Sequence, residues 1–132
     1  MIYLLGREER RQLVGEAAAA RPKEACGLLF GALRTRLFLR LVPTGGARNG
    51  PVSFAIDAAE IAGETALRRA RGEVLLGCYH SHIRAPARPT RGDRRGAAGR
   101  GGLWLIYSLP ARDAALFEWT GADFTRRALY FV

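Results

Sequence analysis

A chain of 132 residues has room for one domain with one hydrophobic core, not for two. Its 48% hydrophobic and 25% charged residues describe an ordinary globular protein, and no apolar run approaches the ~20 residues that a membrane span needs. The formal net charge of +9 rests on arginine, since only Lys23 of the 21 basic residues is lysine, a skew that a GC-rich genome also produces.

The opening Met1-Ile2-Tyr3-Leu4-Leu5 reads as a short strand, cut off by Gly6 and the charged Arg7-Glu8-Glu9-Arg10-Arg11. It is too short for the roughly 7–15-residue apolar stretch of a secretory signal, so a cytoplasmic protein is expected. Residues 8–21 predict a helix with Leu13, Val14, Ala17 and Ala18 as its apolar stripe, ended by Pro22. Residues 26–30 and 37–42 are strand-like, and loop signals at Pro43-Thr44-Gly45-Gly46 and Arg48-Asn49-Gly50-Pro51 precede a short strand over 52–56. Asp57-Ala58-Ala59-Glu60 has the spacing of a capping box, opening a helix that runs to Arg71 with Gly72 as its stop. Residues 74–81 predict a buried strand, 83–102 an irregular Arg-, Pro- and Gly-rich loop with a short helix from Thr90, and 103–108, 114–119 and 127–132 the last strands. Alternating elements with an antiparallel ending predict an α/β or α+β fold, a sheet flanked by helices.

Chemistry concentrates around the only two histidines, His80 and His82. In a strand, residues two apart project from one face, so both imidazoles reach one metal ion. Val74, Leu76 and Cys78 are expected on that same face, giving the metal an apolar wall. Asp93 supplies a third ligand, preceded by Thr90 at the spacing of a helix N-cap. Two nitrogens and one carboxylate leave the fourth position of a tetrahedral Zn²⁺ open for water, the layout of a catalytic rather than a structural site. Cys26 and Cys78 fit no metal motif and are expected as free, buried thiols. Tyr79 and Trp104 read most simply as core, and Ser81, pointing away from the histidines, as a structural hydrogen-bonding residue.

Taken together, Pro22-Lys23-Glu24-Ala25-Cys26-Gly27-Leu28-Leu29, then Asn49 with Ser53-Phe54-Ala55-Ile56-Asp57, then His80-Ser81-His82 and Thr90-Arg91-Gly92-Asp93 resemble the JAMM (MPN-plus) metalloprotease family. Its signature is a glutamate before Cys-Gly-Leu-Leu and a downstream His-x-His-x7-Ser-x-x-Asp. Every spacing is kept; the serine is Thr90 here, and the proline that usually follows the second histidine is Ile83. Threonine retains a hydroxyl with a more restricted rotamer. The resemblance implies a curved mixed sheet of the MPN type, with a layout like that of cytidine deaminases, in one domain over residues 1–132. It also implies one Zn²⁺ held by His80, His82 and Asp93, Glu24 as general base, and Thr90 as an oxyanion-stabilising hydroxyl. Without the resemblance, Glu24 would read as an exposed charge.

Such enzymes cut at or next to the C-terminal glycines of ubiquitin and its relatives. A chain this short resembles the minimal stand-alone prokaryotic type, which implies as partner a ubiquitin-like or sulfur-carrier protein with a Gly-Gly tail. Six arginines in the 83–102 segment (Arg84, Arg88, Arg91, Arg94, Arg95, Arg100) against the single acid Asp93 suggest that this partner is acidic. A nucleic-acid-binding module is the competing class, but the segment lacks interleaved aromatic residues. A phage-tail or cell-wall peptidase of the same superfamily is a third reading, and its usual second peptidase domain is missing here. Deaminase chemistry would need His-x-Glu with Pro-Cys-x-x-Cys, and zincin chemistry His-Glu-x-x-His; the sequence has neither.

Overall fold

The structure is a computed structural model that describes residues 2–35, 37–44, 56, 58–98 and 101–132. In chain order the elements are β1 (Ile2–Leu5), α1 (Arg7–Ala20), β2 (Cys26–Ala32), β3 (Leu39–Pro43), α2 (Ala58–Arg69), β4 (Glu73–His82), α3 (Arg91–Ala97), β5 (Gly102–Ser108), β6 (Asp113–Trp119) and β7 (Phe124–Phe131). The strands form one sheet in the order β1-β7-β6-β5-β4-β2-β3, parallel at β1–β7 and β4–β5 and antiparallel elsewhere. The sheet curls until its ends meet: the Leu4 N–H donates to the Leu37 carbonyl at 2.7 Å, and Leu4 bridges Phe38. This is the expected α+β arrangement with a curved mixed sheet. Of the predicted 52–56 strand only Ile56 is described, and it is buried. Asn49 and the predicted cap Asp57 lie outside the described residues.

One sheet face packs on α1 through Leu13, Ala17, Leu29, Tyr79, Leu105 and Leu116. The stripe on α1 is rotated from the expected one, because Val14 is 39% exposed and Ala18 also faces solvent. Gln12 and Glu16 take their place: the Tyr79 hydroxyl donates to Glu16 at 2.6 Å, and Gln12 donates to Glu16 at 2.7 Å and to the Leu41 carbonyl at 3.0 Å. A buried phenol needs an acceptor, and that requirement turns the helix. Burial and then Glu16 push the Tyr79 phenol well above its usual pKa. Tyr79 and Trp104 are core residues, at 0% and 1% exposure.

The opposite face carries Leu28, Phe30, Cys78 and Trp104, with Ile56 and, from α2, Ile61. Along β4 the alternation breaks once. Leu29 faces Gly77 while Phe30 faces Leu75, so Leu76 is an extra residue in a β-bulge. Leu76 therefore packs toward the α1 side and does not share the histidine face as expected. Beyond the bulge, Cys78, His80 and His82 resume one face. Gly77 permits the close approach of β5, since a Cβ there would overlap the Leu103 backbone. Chain reversal after α2 follows the expected Gly72, whose φ of +78° suits glycine, although the helix ends earlier, at Arg69. No helix among the described residues is long and apolar enough to cross a membrane.

Candidate metal centre

The C-terminal end of β4 delivers His80 and His82, both essentially buried, and the first turn of α3 delivers Asp93 at 0% exposure. Their ligating atoms converge. His80 Nε2 stands 3.2 Å from His82 Nε2 and 2.9 Å from Asp93 Oδ1, and His82 Nε2 stands 3.0 Å from Asp93 Oδ2. Atoms bound at about 2.0–2.2 Å to a tetrahedral zinc are roughly 3.3 Å apart, so the three are nearly in place.

The tautomer strengthens this fit. His82 Nδ1 lies 2.8 Å from the Pro86 carbonyl, an acceptor only, so Nδ1 carries the proton and donates. The lone pair of Nε2 in the neutral ring then confronts the Asp93 carboxylate. Two acceptors at 3.0 Å repel unless a cation lies between them. A proton on His82 relieves one contact; a divalent ion relieves all three.

Titration properties follow the same logic. Burial pushes the Asp93 carboxyl up, but contacts from His80 and His82 and the Thr90 N–H prevail and hold it well below the usual carboxylate range. Burial lowers His82, while Asp93 and the Pro86 carbonyl prevail and raise it above its ordinary value.

Thr90 is the N-cap of α3 in a reciprocal capping box. Its hydroxyl accepts the Asp93 N–H at 3.1 Å, and Asp93 Oδ2 accepts the Thr90 N–H at 2.9 Å. The cap thereby aims the carboxylate at the histidines, and such a cap is worth ~1 kcal/mol.

Glu24 reaches the same place from the start of β2. Cys26 pairs with His80 in the β2–β4 register. Ser81 clamps the residue after Glu24 twice, its N–H donating to the Ala25 carbonyl at 3.0 Å and its hydroxyl accepting the Ala25 N–H at 2.9 Å. Glu24 is consequently buried, only 6% exposed, and its Oε1 has no hydrogen-bond partner among the described residues. Burial, moderated by His82 and reinforced by Asp93, pushes its pKa up to about 7. Cys26 and Cys78 are both free and buried.

Residues 7–120 match the family described as prokaryotic homologs of the JAB domain. The chain belongs to that family. It is 32% identical over 109 residues to a desampylase of Haloferax volcanii, covering 82% of this chain and 78% of that one. Among solved structures it resembles the Desulfitobacterium hafniense protein DSY2949, with a TM-score of 0.85 and 28% identity over 99% of this chain and 93% of that one. The JAB1/MPN domain protein AF2198 of Archaeoglobus fulgidus shares the fold, with a TM-score of 0.62 and 16% identity over 98% of each chain. The JAMM/MPN resemblance read from the motifs thus holds for the family and for the fold.

Around the metal cradle of this JAB domain, Arg84, Arg88, Arg91, Arg94 and Arg95 are all exposed, and Arg100 lies outside the described residues. Among the described residues only Arg94 of this group is ion-paired, with Asp123 at 2.9 Å. A groove of about 470 Å³ lined by Arg88, Pro89, Thr90, Arg94, Phe117 and Phe124 adjoins the cradle. Motif reading missed the Pro86 carbonyl, because a backbone acceptor leaves no signature in residue type.

Proposed function

We propose that residues 1–132 form one zinc-dependent peptidase or isopeptidase domain. It hydrolyses the bond at or next to the C-terminal glycines of a ubiquitin-like or sulfur-carrier protein in the cytoplasm. The observation that carries this reading is the convergence of three buried ligand atoms in a chain whose buried Glu24 has one oxygen, Oε1, without a hydrogen-bond partner among the described residues. The desampylase relative and the JAMM/MPN fold support the ubiquitin-like substrate class.

His80, His82 and Asp93 are the residues that would hold the zinc. Zinc bound there would supply Lewis acidity toward the scissile carbonyl and a water. Glu24 would take a proton from the attacking water and return it to the leaving nitrogen. Burial raises this carboxyl above the usual carboxylate range in the metal-free chain, which favours uptake of a proton, as a general base requires. Thr90 Oγ1 accepts from Asp93 N–H, which leaves its own O–H to donate to the developing oxyanion. The exposed arginines flanking the cradle favour an acidic partner and speed its encounter.

The test is cleavage of an acidic ubiquitin-like protein fused at its Gly-Gly tail to a reporter or linked there to a lysine. Cleavage is expected with zinc-loaded protein, to stop on chelation and to return with added zinc. Zinc-loaded, folded protein that leaves both linkages intact would overturn the proposal. Micromolar binding to mixed-sequence DNA without such cleavage would favour the nucleic-acid reading instead.

A further inference from the structure

The Pro86 carbonyl that sets the His82 tautomer is itself held by a residue outside the motif. Ser108 ends β5, faces His82 in the parallel β4–β5 register, and is fully buried. Its hydroxyl donates to the Ala85 carbonyl at 2.7 Å and accepts the Ala111 N–H at 3.1 Å, while the Leu109 N–H donates to the His82 carbonyl at 3.0 Å. The next carbonyl, that of Pro86, accepts two donors at 2.8 Å each: the Arg88 N–H, which closes a three-residue turn, and His82 Nδ1–H. Ala87, at the centre of that turn, packs against Ile106, Ala115 and Phe117. Ser108 thus anchors the peptide before Pro86 and Ala87 the one after it, and together they aim the carbonyl at the imidazole.

We propose that Ser108 is a positioning residue for the metal centre. Acting through Ala85 and Pro86, it keeps His82 as the Nδ1–H tautomer with Nε2 turned toward His80 and Asp93. This rests on the zinc reading above. A hydroxyl that merely satisfied a buried carbonyl would affect stability and leave the His82 tautomer unchanged; a positioning hydroxyl changes both. Partners of metal-ligating histidines typically tune metal affinity by roughly 10- to 100-fold.

The full chain and its Ser108→Ala variant are compared in two measurements. Zinc affinity is read by competition with a chromophoric chelator. The His82 tautomer is read by ¹³C and ¹⁵N side-chain NMR of the metal-free protein at a pH where both imidazoles are neutral, with two histidines to assign. The expected result is a folded Ser108→Ala protein that binds zinc roughly 10- to 100-fold more weakly and shows a mixed His82 tautomer. Unchanged affinity with a pure Nδ1–H tautomer overturns the proposal. If Ser108→Ala does not fold, Ser108→Cys, which is slightly larger and a weaker donor, is read by the same criteria. If the wild type takes up no zinc, the hydrolase reading fails, and the tautomer comparison alone decides the role of Ser108.

Discussion

Glu24→Gln in the metal-free protein isolates the cost of keeping the Glu24 carboxyl out of water. The carboxyl moves from an ordinary pKa of 4.5 to about 7 in the folded chain. Below about pH 4.5 it is protonated in both states and its ionisation costs nothing. Between 4.5 and about 7 the unfolded chain releases the proton while the folded chain retains it, so rising pH favours unfolding. Above about 7 the penalty is complete; at ~1.4 kcal/mol per tenfold change in proton affinity it reaches about 3 kcal/mol. Glutamine keeps the shape and carries no charge at any pH. Chelator-treated Glu24→Gln is therefore expected to exceed the wild type by about 3 kcal/mol at alkaline pH, with the gap closing as pH falls toward 4.5. At roughly 3–5 °C per kcal/mol for a domain of this size, the gap is readable by thermal melts as well as by urea titration of tryptophan fluorescence. A gap independent of pH, or a less stable mutant under alkaline conditions, would refute the assignment of a buried, desolvated carboxyl. The same substitution should lower peptide cleavage by at least ~10² while zinc is retained. Loss of zinc would make Glu24 a ligand rather than the base.

Three further expectations follow from the same geometry. Elemental analysis of protein purified without chelator should find one zinc per chain, and His80→Ala/His82→Ala should bind none; equal zinc in both would sink the cradle. Thr90→Ser should leave stability and turnover nearly unchanged, whereas Thr90→Val should lose ~1 kcal/mol of cap stability and impair turnover beyond that loss; if both variants turn over alike, the hydroxyl has no role in the reaction. Joint replacement of the exposed Arg84, Arg88 and Arg91 by Ala should raise KM and remove the salt sensitivity of kcat/KM for an acidic protein substrate, yet spare short uncharged tail peptides. An equal loss on both substrates would place the effect in the catalytic machinery instead.

The parts of the centre legible in the sequence are those whose geometry is local. His80 and His82 share a face because strand periodicity is two, and Thr90 caps the turn that carries Asp93 because the cap and N3 are three residues apart. Glu24 was legible only through resemblance. Its burial comes from Ala25 pairing with Ser81, 56 residues away, and no local property of Pro-Lys-Glu-Ala announces it. Leu76 departs from the face that alternation predicts because a single bulged residue inverts every position on one side of it, and alternation alone does not mark which residue bulges. Val14 and Ala18 face solvent for a different reason. The orientation of α1 depends on a buried Tyr79 hydroxyl seeking Glu16, a polar requirement that a count of apolar positions does not register.

Asp93 links the stability of α3 to occupancy of the cradle. One of its oxygens, Oδ2, both accepts the Thr90 N–H that opens α3 and confronts His82 Nε2. α3 is one short helix of seven residues, which has little stability of its own. Its start is held by the capping box, and its far end by Ala97, which packs with Trp104 on the histidine face. A cation between Asp93 and the histidines would bind all three groups at once and so hold the carboxylate, and the helix start with it, against β4. A cation held there would steady Thr90 and Arg94 together, because both line the groove from the same turn. Cradle and groove thus share one carboxylate oxygen, Asp93 Oδ2, through the Thr90 cap.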